Sequence, residues 1–240
     1  MQKISKQHKK DMQDRFNKLK QENILGIDDS GRGPVLGPMI MAGVMIPSYI
    51  GGQFKDLGIK DSKKLTPQKR EDFAHVIKDN SSFSVIKIWP DEIMLRNHDG
   101  VNINKLEAIK AAQIINEMLP DVAIVDCPSN NIKKWQAELE KHLLEGVRKE
   151  VKLVIEHKAD SKYVECSAAS IIAKVERDEE IAKLQKQIPE PFGSGYPSDP
   201  ITQKFLEKNW DKHKGLFRET WQTWQRFKKE KSQKKIVDYD

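Results

Sequence analysis

The chain has 240 residues, 38% of them hydrophobic and 32% charged, with a formal net charge of +6 and two cysteines. That length buries a sizeable core as one large domain, or as one domain with a small companion. No run approaches the roughly 18 consecutive apolar residues of a membrane span, the lysine-rich start has no apolar signal stretch, and Cys127 and Cys166 lack the spacing of a zinc site, so a cytoplasmic protein without membrane or zinc is expected.

The charge is unevenly spread. Residues 1–20 hold seven Lys/Arg against two acids and residues 212–240 hold nine against four, which leaves the body between them mildly acidic. Two basic ends around an acidic centre fit an anionic polymer gripped by arms over a metal-binding middle. Composition alone fits solubilising tails equally well.

In chain order, residues 1–21 form a basic extension, either a surface helix or a disordered arm. Ile24 to Ile27 reads as a strand. Asp28-Asp29-Ser30-Gly31-Arg32-Gly33-Pro34-Val35-Leu36-Gly37-Pro38 is a charged, glycine-rich turn, and Met39 to Ile46 is a second strand. Two adjacent carboxylates cannot both stay ionised without positive charge nearby, supplied either by Arg32 or by a hard divalent ion. The G-x-G-x-x-x-G spacing of this turn imitates a dinucleotide loop. Pro34 and Pro38 forbid the helix start that such a loop requires.

Ser48 to Lys60 reads as a loop. Thr66-Pro67 opens a helix to about Lys78, with Phe73, Val76 and Ile77 inward. Ser82 to Trp89 alternates as a strand, and Pro90 with the Arg96–Gly100 turn breaks the chain. A helix from about Asn104 to Leu119 precedes a buried strand, Val122 to Val125, which ends at Asp126. The next helix spans about Asn131 to Leu144, capped by Ser129 or Asn130, with Trp135, Leu139 and Leu143 on one face. Val151 to Ile155 is a strand leading to Asp160, and a long helix runs from about Val164 to Gln187. Aromatic residues from Phe205 to Phe227 pack two further helices on the body, along the path of a bound duplex, and a basic tail follows.

This order predicts an α/β domain. Asp28, Asp29, Asp126 and Asp160 each fall at or just after the end of a short apolar strand, so parallel pairing would gather them at one sheet edge. Singly, Asp126 or Asp160 reads more readily as a helix cap. Together, four carboxylates suit two Mg²⁺ or Mn²⁺ ions about 4 Å apart, clamping the attacking and leaving oxygens of a phosphodiester.

The run Gly26 to Pro38 closely resembles the signature of type 2 ribonuclease H (ribonuclease HII). The resemblance continues in Asp61-Ser62-Lys63-Lys64-Leu65, Val125-Asp126, Lys158-Ala159-Asp160, Ser167 to Asp178, Gly193 to Pro200 and Phe217-Arg218-Glu219-Thr220-Trp221, the last two in the manner of the archaeal and eukaryotic branch. It implies a ribonuclease H-like fold, a mixed sheet flanked by helices with a small C-terminal helical segment. The implied divisions are 1–21, a catalytic domain at 22–188, a substrate-binding segment at 189–227 and a tail at 228–240.

The implied activity is endonucleolytic cleavage of RNA in RNA/DNA hybrids and at single ribonucleotides in duplex DNA. The cut lies 5′ of the ribonucleotide and leaves a 3′-hydroxyl and a 5′-phosphate. By the same resemblance Asp28, Asp29, Asp126 and Asp160 hold the two ions, Gly31, Arg32 and Gly33 read the 2′-hydroxyl, and Tyr196 stacks on the following deoxyribose. Lys63 and Lys174 read equally as phosphate contacts or as ordinary surface lysines, and a monomer is expected. A 2′-hydroxyl is what separates RNA from DNA at one position, so a glycine loop with an adjacent ring makes a sensible reader. A catalytically weakened hybrid binder is the rival reading.

One residue departs from the pattern: the family's second acid is normally glutamate, and here it is Asp29. Mg²⁺ demands near-ideal octahedral geometry, so a side chain one methylene shorter predicts activity that is weakened or shifted toward Mn²⁺. Asp29→Glu should therefore raise the Mg²⁺-supported cleavage rate. A rate equal to or below that of the parent chain refutes the handicap.

Overall fold

The structure is a computed structural model that describes residues 22–59, 65–213 and 215–237. The N-terminal extension, Lys63 with most of its motif, and the end of the basic tail lie outside the described residues.

Five strands build one mixed sheet in the order β3-β2-β1-β4-β5. β1 (Asn23–Ser30) pairs antiparallel with β2 (Met39–Pro47), which pairs antiparallel with β3 (Ser82–Ile88). On the other side β1 runs parallel to β4 (Val122–Asp126), and β4 parallel to β5 (Lys152–Glu156). Between β2 and β3 lie α1 (Ser48–Asp56) and α2 (Pro67–Asn80), and between β3 and β4 lie α3 (Pro90–His98) and α4 (Ile103–Met118). α5 (Ile132–Lys141) and α6 (Glu145–Glu150) connect β4 to β5; α7 (Ala159–Lys162), α8 (Val164–Gln187), α9 (Pro200–Asn209) and α10 (Gln222–Val237) follow.

Each sheet face is closed by helices, as strand alternation requires. Leu25, Ile27, Met39 and Met41 pack with Ala108, Ala111, Ala112 and Ile115 of α4 and with Trp135 and Leu139 of α5. Ile40, Ala42, Val44 and Ile46 pack with Ala168, Ala169, Ile171 and Ile172 of α8, Phe54 of α1 and Ile77 of α2. A third cluster joins Val35 and Leu36 of the glycine turn to Phe192, Phe205, Leu206, Phe217, Trp224 and Phe227 of the C-terminal segment.

Several local expectations change. Ser48–Asp56 is helical rather than loop, because burial of Phe54 outweighs the poor helix propensity of two glycines. Pro90 starts α3 instead of simply breaking the chain: it occupies the first turn with Asp91 and Glu92, while Arg96 and His98 sit in the last turn, each sign suited to its end of the dipole. The cap of α5 is Asn131, whose side chain accepts the Lys134 N–H at 3.0 Å, rather than Ser129 or Asn130. Phe73 and Val76 of α2 are half-buried, and Ala74 with Ile77 makes the contact. α10 continues across position 228, where the sequence reading drew its last boundary.

α8 lies directly on β1 because position 26 has no side chain. A Cβ on Gly26 would stand 2.1 Å from the Glu165 carbonyl carbon and 2.3 Å from the Cys166 nitrogen. Gly26→Ala should cost at least about 3 kcal/mol by forcing the two backbones apart, lowering Tm by about 6 °C or more. Gly52→Ala, in α1 with nothing within 4 Å, should be neutral or stabilise by up to about 1 kcal/mol. Thermal unfolding of the two variants side by side checks the contrast.

Candidate active site

Register places the first two acids. Ile27 of β1 is paired with Val125 of the parallel β4, so the next residues, Asp28 and Asp126, leave adjacent strand ends side by side. β5 extends the row, since Asp126 is paired with Glu156. Beyond it Lys158 takes a left-handed conformation (φ 56°) and turns the chain into α7, which brings Asp160 back, buried at 4% exposure. The Ala159 N–H donates to Asp126 Oδ1 at 3.1 Å and locks this return to the end of β4.

All four predicted acids line a single open cleft of about 380 Å³, together with Ser30, Gly31, Arg32, Gly33, Pro128, Ser170, Lys174 and Tyr196. Every described residue singled out from the sequence for this chemistry is therefore on its wall. Lys63 alone lies outside the described residues.

Asp28 and Asp29 are successive strand residues and so belong to opposite sheet faces. Asp28 turns to α8, where it is hydrogen-bonded to Ser170, whose hydroxyl also accepts from Lys174 Nζ at 2.6 Å. Asp29 belongs to the α4 face, and the positive charge acting on it comes first from Arg32, then from Lys174 and Arg218. Burial pushes the Asp28 carboxyl up to about 8, and the neighbouring charges of Asp29 and Asp126 add to the rise. Burial and Asp126 push Asp29 up to about 6 against the pull of its cations. Such a group is electrostatically short of positive charge.

Among the described residues no three carboxylate, imidazole or thiol groups are drawn together as a finished metal cage. Two of the carboxylates are engaged by backbone donors: Asp28 Oδ1 accepts the Asp29 N–H at 2.8 Å, and Asp126 Oδ1 accepts the Ala159 N–H at 3.1 Å. The donor set nevertheless fits hard divalent ions, because it offers carboxylate oxygens in charge excess and, among the described residues, neither thiolate nor imidazole lines the cleft.

The glycine turn lines the same cleft. Gly31 (φ 83°) has Arg177 packed where a side chain would be, 2.2 Å from Nε to an added Cβ, so both its conformation and its surroundings require glycine. Gly33 faces the Tyr196 ring, with the nearest ring carbon 3.5 Å from an added Cβ. Tyr196 is 40% exposed and lies under the Arg177 guanidinium, 5.4 Å from the ring centroid. The Arg32 side chain points to α4, donating to Glu107 Oε2 at 2.7 Å and Asn104 Oδ1 at 2.6 Å.

Sequence reasoning assigned no role to Arg218, which is fully buried and holds the turn from behind. Its Nε and Nη2 donate to the Gly37 carbonyl at 3.1 and 3.0 Å, and Nη1 donates to the Arg32 carbonyl at 2.9 Å. The backbone adds Arg218 N–H to Val35 O and Gly37 N–H to Leu216 O, at 2.8 and 2.9 Å. Burial, reinforced by the charge of Arg177, lowers its pKa to about 9. Local pattern did not mark it, since Glu219 and Thr220 lie in the same interval between Phe217 and Trp221 without being buried. Glu107 and Asn104 were missed as well. Glu107 falls four and eight residues before Ala111 and Ile115, on the buried stripe of α4, where a charge asks for a partner.

Residues 25–224 match the family model Ribonuclease HII. The chain belongs to the ribonuclease HII family. It is 41% identical over 208 residues to a ribonuclease HII from Methanothermobacter thermautotrophicus, covering 85% of this chain and 98% of that one. Among solved structures it resembles the ribonuclease H2 of Pyrococcus horikoshii, with a TM-score of 0.77 and 37% identity over 87% of this chain and 98% of that one. A Bst ribonuclease HIII solved in complex with Mn²⁺ shares the fold, with a TM-score of 0.70 at 19% identity over 89% of this chain and 71% of that one. The family's chemistry is ribonuclease H activity, hydrolysis of RNA in RNA/DNA hybrids, which makes this chain a nuclease.

Membership of the ribonuclease HII family makes the clamp on the turn testable. Arg218→Lys keeps the charge but loses the fork that reaches two carbonyls at once. Denaturant unfolding should show a loss of about 2–4 kcal/mol, from at least one charged hydrogen bond removed in a buried site. A loss under about 0.5 kcal/mol would show that the turn is held by its backbone bonds alone.

Proposed function

We propose that this chain cuts RNA/DNA hybrids and duplex DNA carrying a single ribonucleotide, on the 5′ side of the ribonucleotide, leaving a 3′-hydroxyl and a 5′-phosphate. The observation that carries the reading is the meeting of Asp28, Asp29, Asp126 and Asp160 with Gly31, Arg32, Gly33 and Tyr196 on one cleft wall. Acids alone would suit many nucleases. A turn set beside an exposed ring gives them a sugar to inspect.

In this reading the four aspartates would hold two divalent ions, Mg²⁺ or Mn²⁺. When bound, such ions activate water and stabilise the charge that develops on a phosphodiester. The protein's own part is positional. Ser170 and Lys174 steady Asp28 from α8, and Lys174 offers its charge to a phosphate entering the cleft. The turn, fixed from behind, presents its backbone to the 2′-hydroxyl, while the Tyr196 ring meets the neighbouring sugar and leaves a further hydroxyl no room. The raised carboxyls of Asp28 and Asp29 fit a site that reaches full ionisation only with cations in place.

The test is a duplex with one ribonucleotide, incubated with Mg²⁺ and separately with Mn²⁺, beside an all-DNA duplex and the Asp126→Asn variant. Cleavage 5′ of the ribonucleotide, none of the all-DNA duplex, and a drop of about 100-fold or more in Asp126→Asn are expected, since losing several kcal/mol of charge stabilisation costs a factor of ten per 1.4 kcal/mol. Binding without cleavage in both metals would favour a hybrid-binding role instead. Equal cutting of all-DNA duplex would point to a nuclease with no sugar reader.

A further inference from the structure

The side chain of Arg32 is already engaged. That side chain is 32% exposed, and its guanidinium donates to two residues of α4, Glu107 Oε2 at 2.7 Å and Asn104 Oδ1 at 2.6 Å. Glu107 is 1% exposed, and its other oxygen, Oε1, accepts no hydrogen bond among the described residues. A carboxylate this deep is costly unless its partner is well placed. The pair therefore spends buried charge on the position of one side chain in a short turn.

The anchorage on α4 is itself built. Asn102 caps the helix, accepting the Lys105 N–H at 3.1 Å, so the first turn that carries Asn104 is fixed. The Asn104 carbonyl accepts the Trp135 indole N–H at 2.9 Å, which ties that turn to α5. The same peptide turn is gripped from the other side at the Arg32 carbonyl by Arg218. Arg32 is thus held by its side chain to one element and by its backbone to another, with Gly31 and Gly33 between cleft and anchors.

We infer that Glu107, assisted by Asn104, is a positioning residue for cleavage: it fixes Arg32 and through it the orientation of the Gly31–Gly33 turn that faces the substrate sugar. This rests on the proposed reading of the turn as the sugar reader. Glu107 is not a catalytic residue, since it does not line the cleft and its carboxylate accepts from Arg32. A misplacement of about 1 Å in a positioning element costs on the order of 100-fold in rate.

The experiment is a double-mutant cycle on the full chain with the one-ribonucleotide duplex. Glu107→Ala should lower kcat/KM by about 10- to 100-fold. Glu107→Gln, which can still accept from the guanidinium, should recover most of that loss. In an Arg32→Ala background Glu107→Ala should change the rate by less than about twofold, because the partner it acts through is gone. Asn104→Ala, at the margin of the core, should show the same silence in that background, and it serves if Glu107→Ala fails to fold. Equal losses with and without Arg32, or no loss at all while the parent chain cuts, overturn the inference alone. A parent chain that leaves the ribonucleotide duplex intact sinks the sugar-reader reading and this inference together.

Discussion

The structure turns on the parallel register of β1 and β4. Pairing Ile27 with Val125 leaves Asp28 and Asp126 at the same height on neighbouring strands, about 4.8 Å apart along the hydrogen-bonding direction of a sheet. A slip of one residue would send one of them to the opposite face. That register is secured by apolar burial on both faces, where Leu25 and Ile27 pack on α4 while Gly26 admits the backbone of α8. The core is therefore what sets the acids side by side, against their own repulsion.

The repulsion shapes everything around the cleft. Relief comes from both faces of β1: Ser170 of α8 serves Asp28, Arg32 serves Asp29 on the α4 face, and Lys174, which donates to Ser170, also acts on Asp29. Arg218 contributes a third positive charge from behind, although all three of its nitrogens are spent on carbonyl oxygens. The C-terminal segment is thus part of the site even though the only site residue it places on the wall is Tyr196. Its aromatic cluster and the Leu36 to Phe217 bridge attach it to the glycine turn more closely than to the sheet.

Much of this was legible in the chain. The strands that lead to Asp28, Asp126 and Asp160 contain short apolar runs, and burial on both faces explains why those of β1 and β4 read clearly. Thr66, at a Pro-bearing helix start, caps α2 as its type dictates, accepting the Lys69 N–H at 3.3 Å. What escaped was set by long-range packing. α1 holds only two buried residues, Gly51 and Phe54, and α3 only Pro90 and Ile93, so neither shows a helical stripe before its neighbours are known. The partners of Glu107 and Arg218 were unreadable for a related reason: they lie 75 and 186 positions away, and local pattern cannot supply them.

The two-faced arrangement also localises the consequence of carrying Asp29 instead of glutamate. Asp28 and Asp29 neighbour each other in sequence yet lie on opposite faces of β1, so shortening the second acid leaves the Ser170 hydrogen bond of the first in place. The change falls on the face where Arg32 is already drawn to Glu107. Burial and the charge of Asp29 push the Glu107 carboxyl up to about 8, with Arg32 pulling it back. Arg32 therefore divides its attraction between two acids, one in the cleft and one beneath it. On the proposed assignment of Asp29 as an ion ligand, the shorter acid would give up part of its place beside a bound ion, while Arg32 shares its charge with the glutamate on α4.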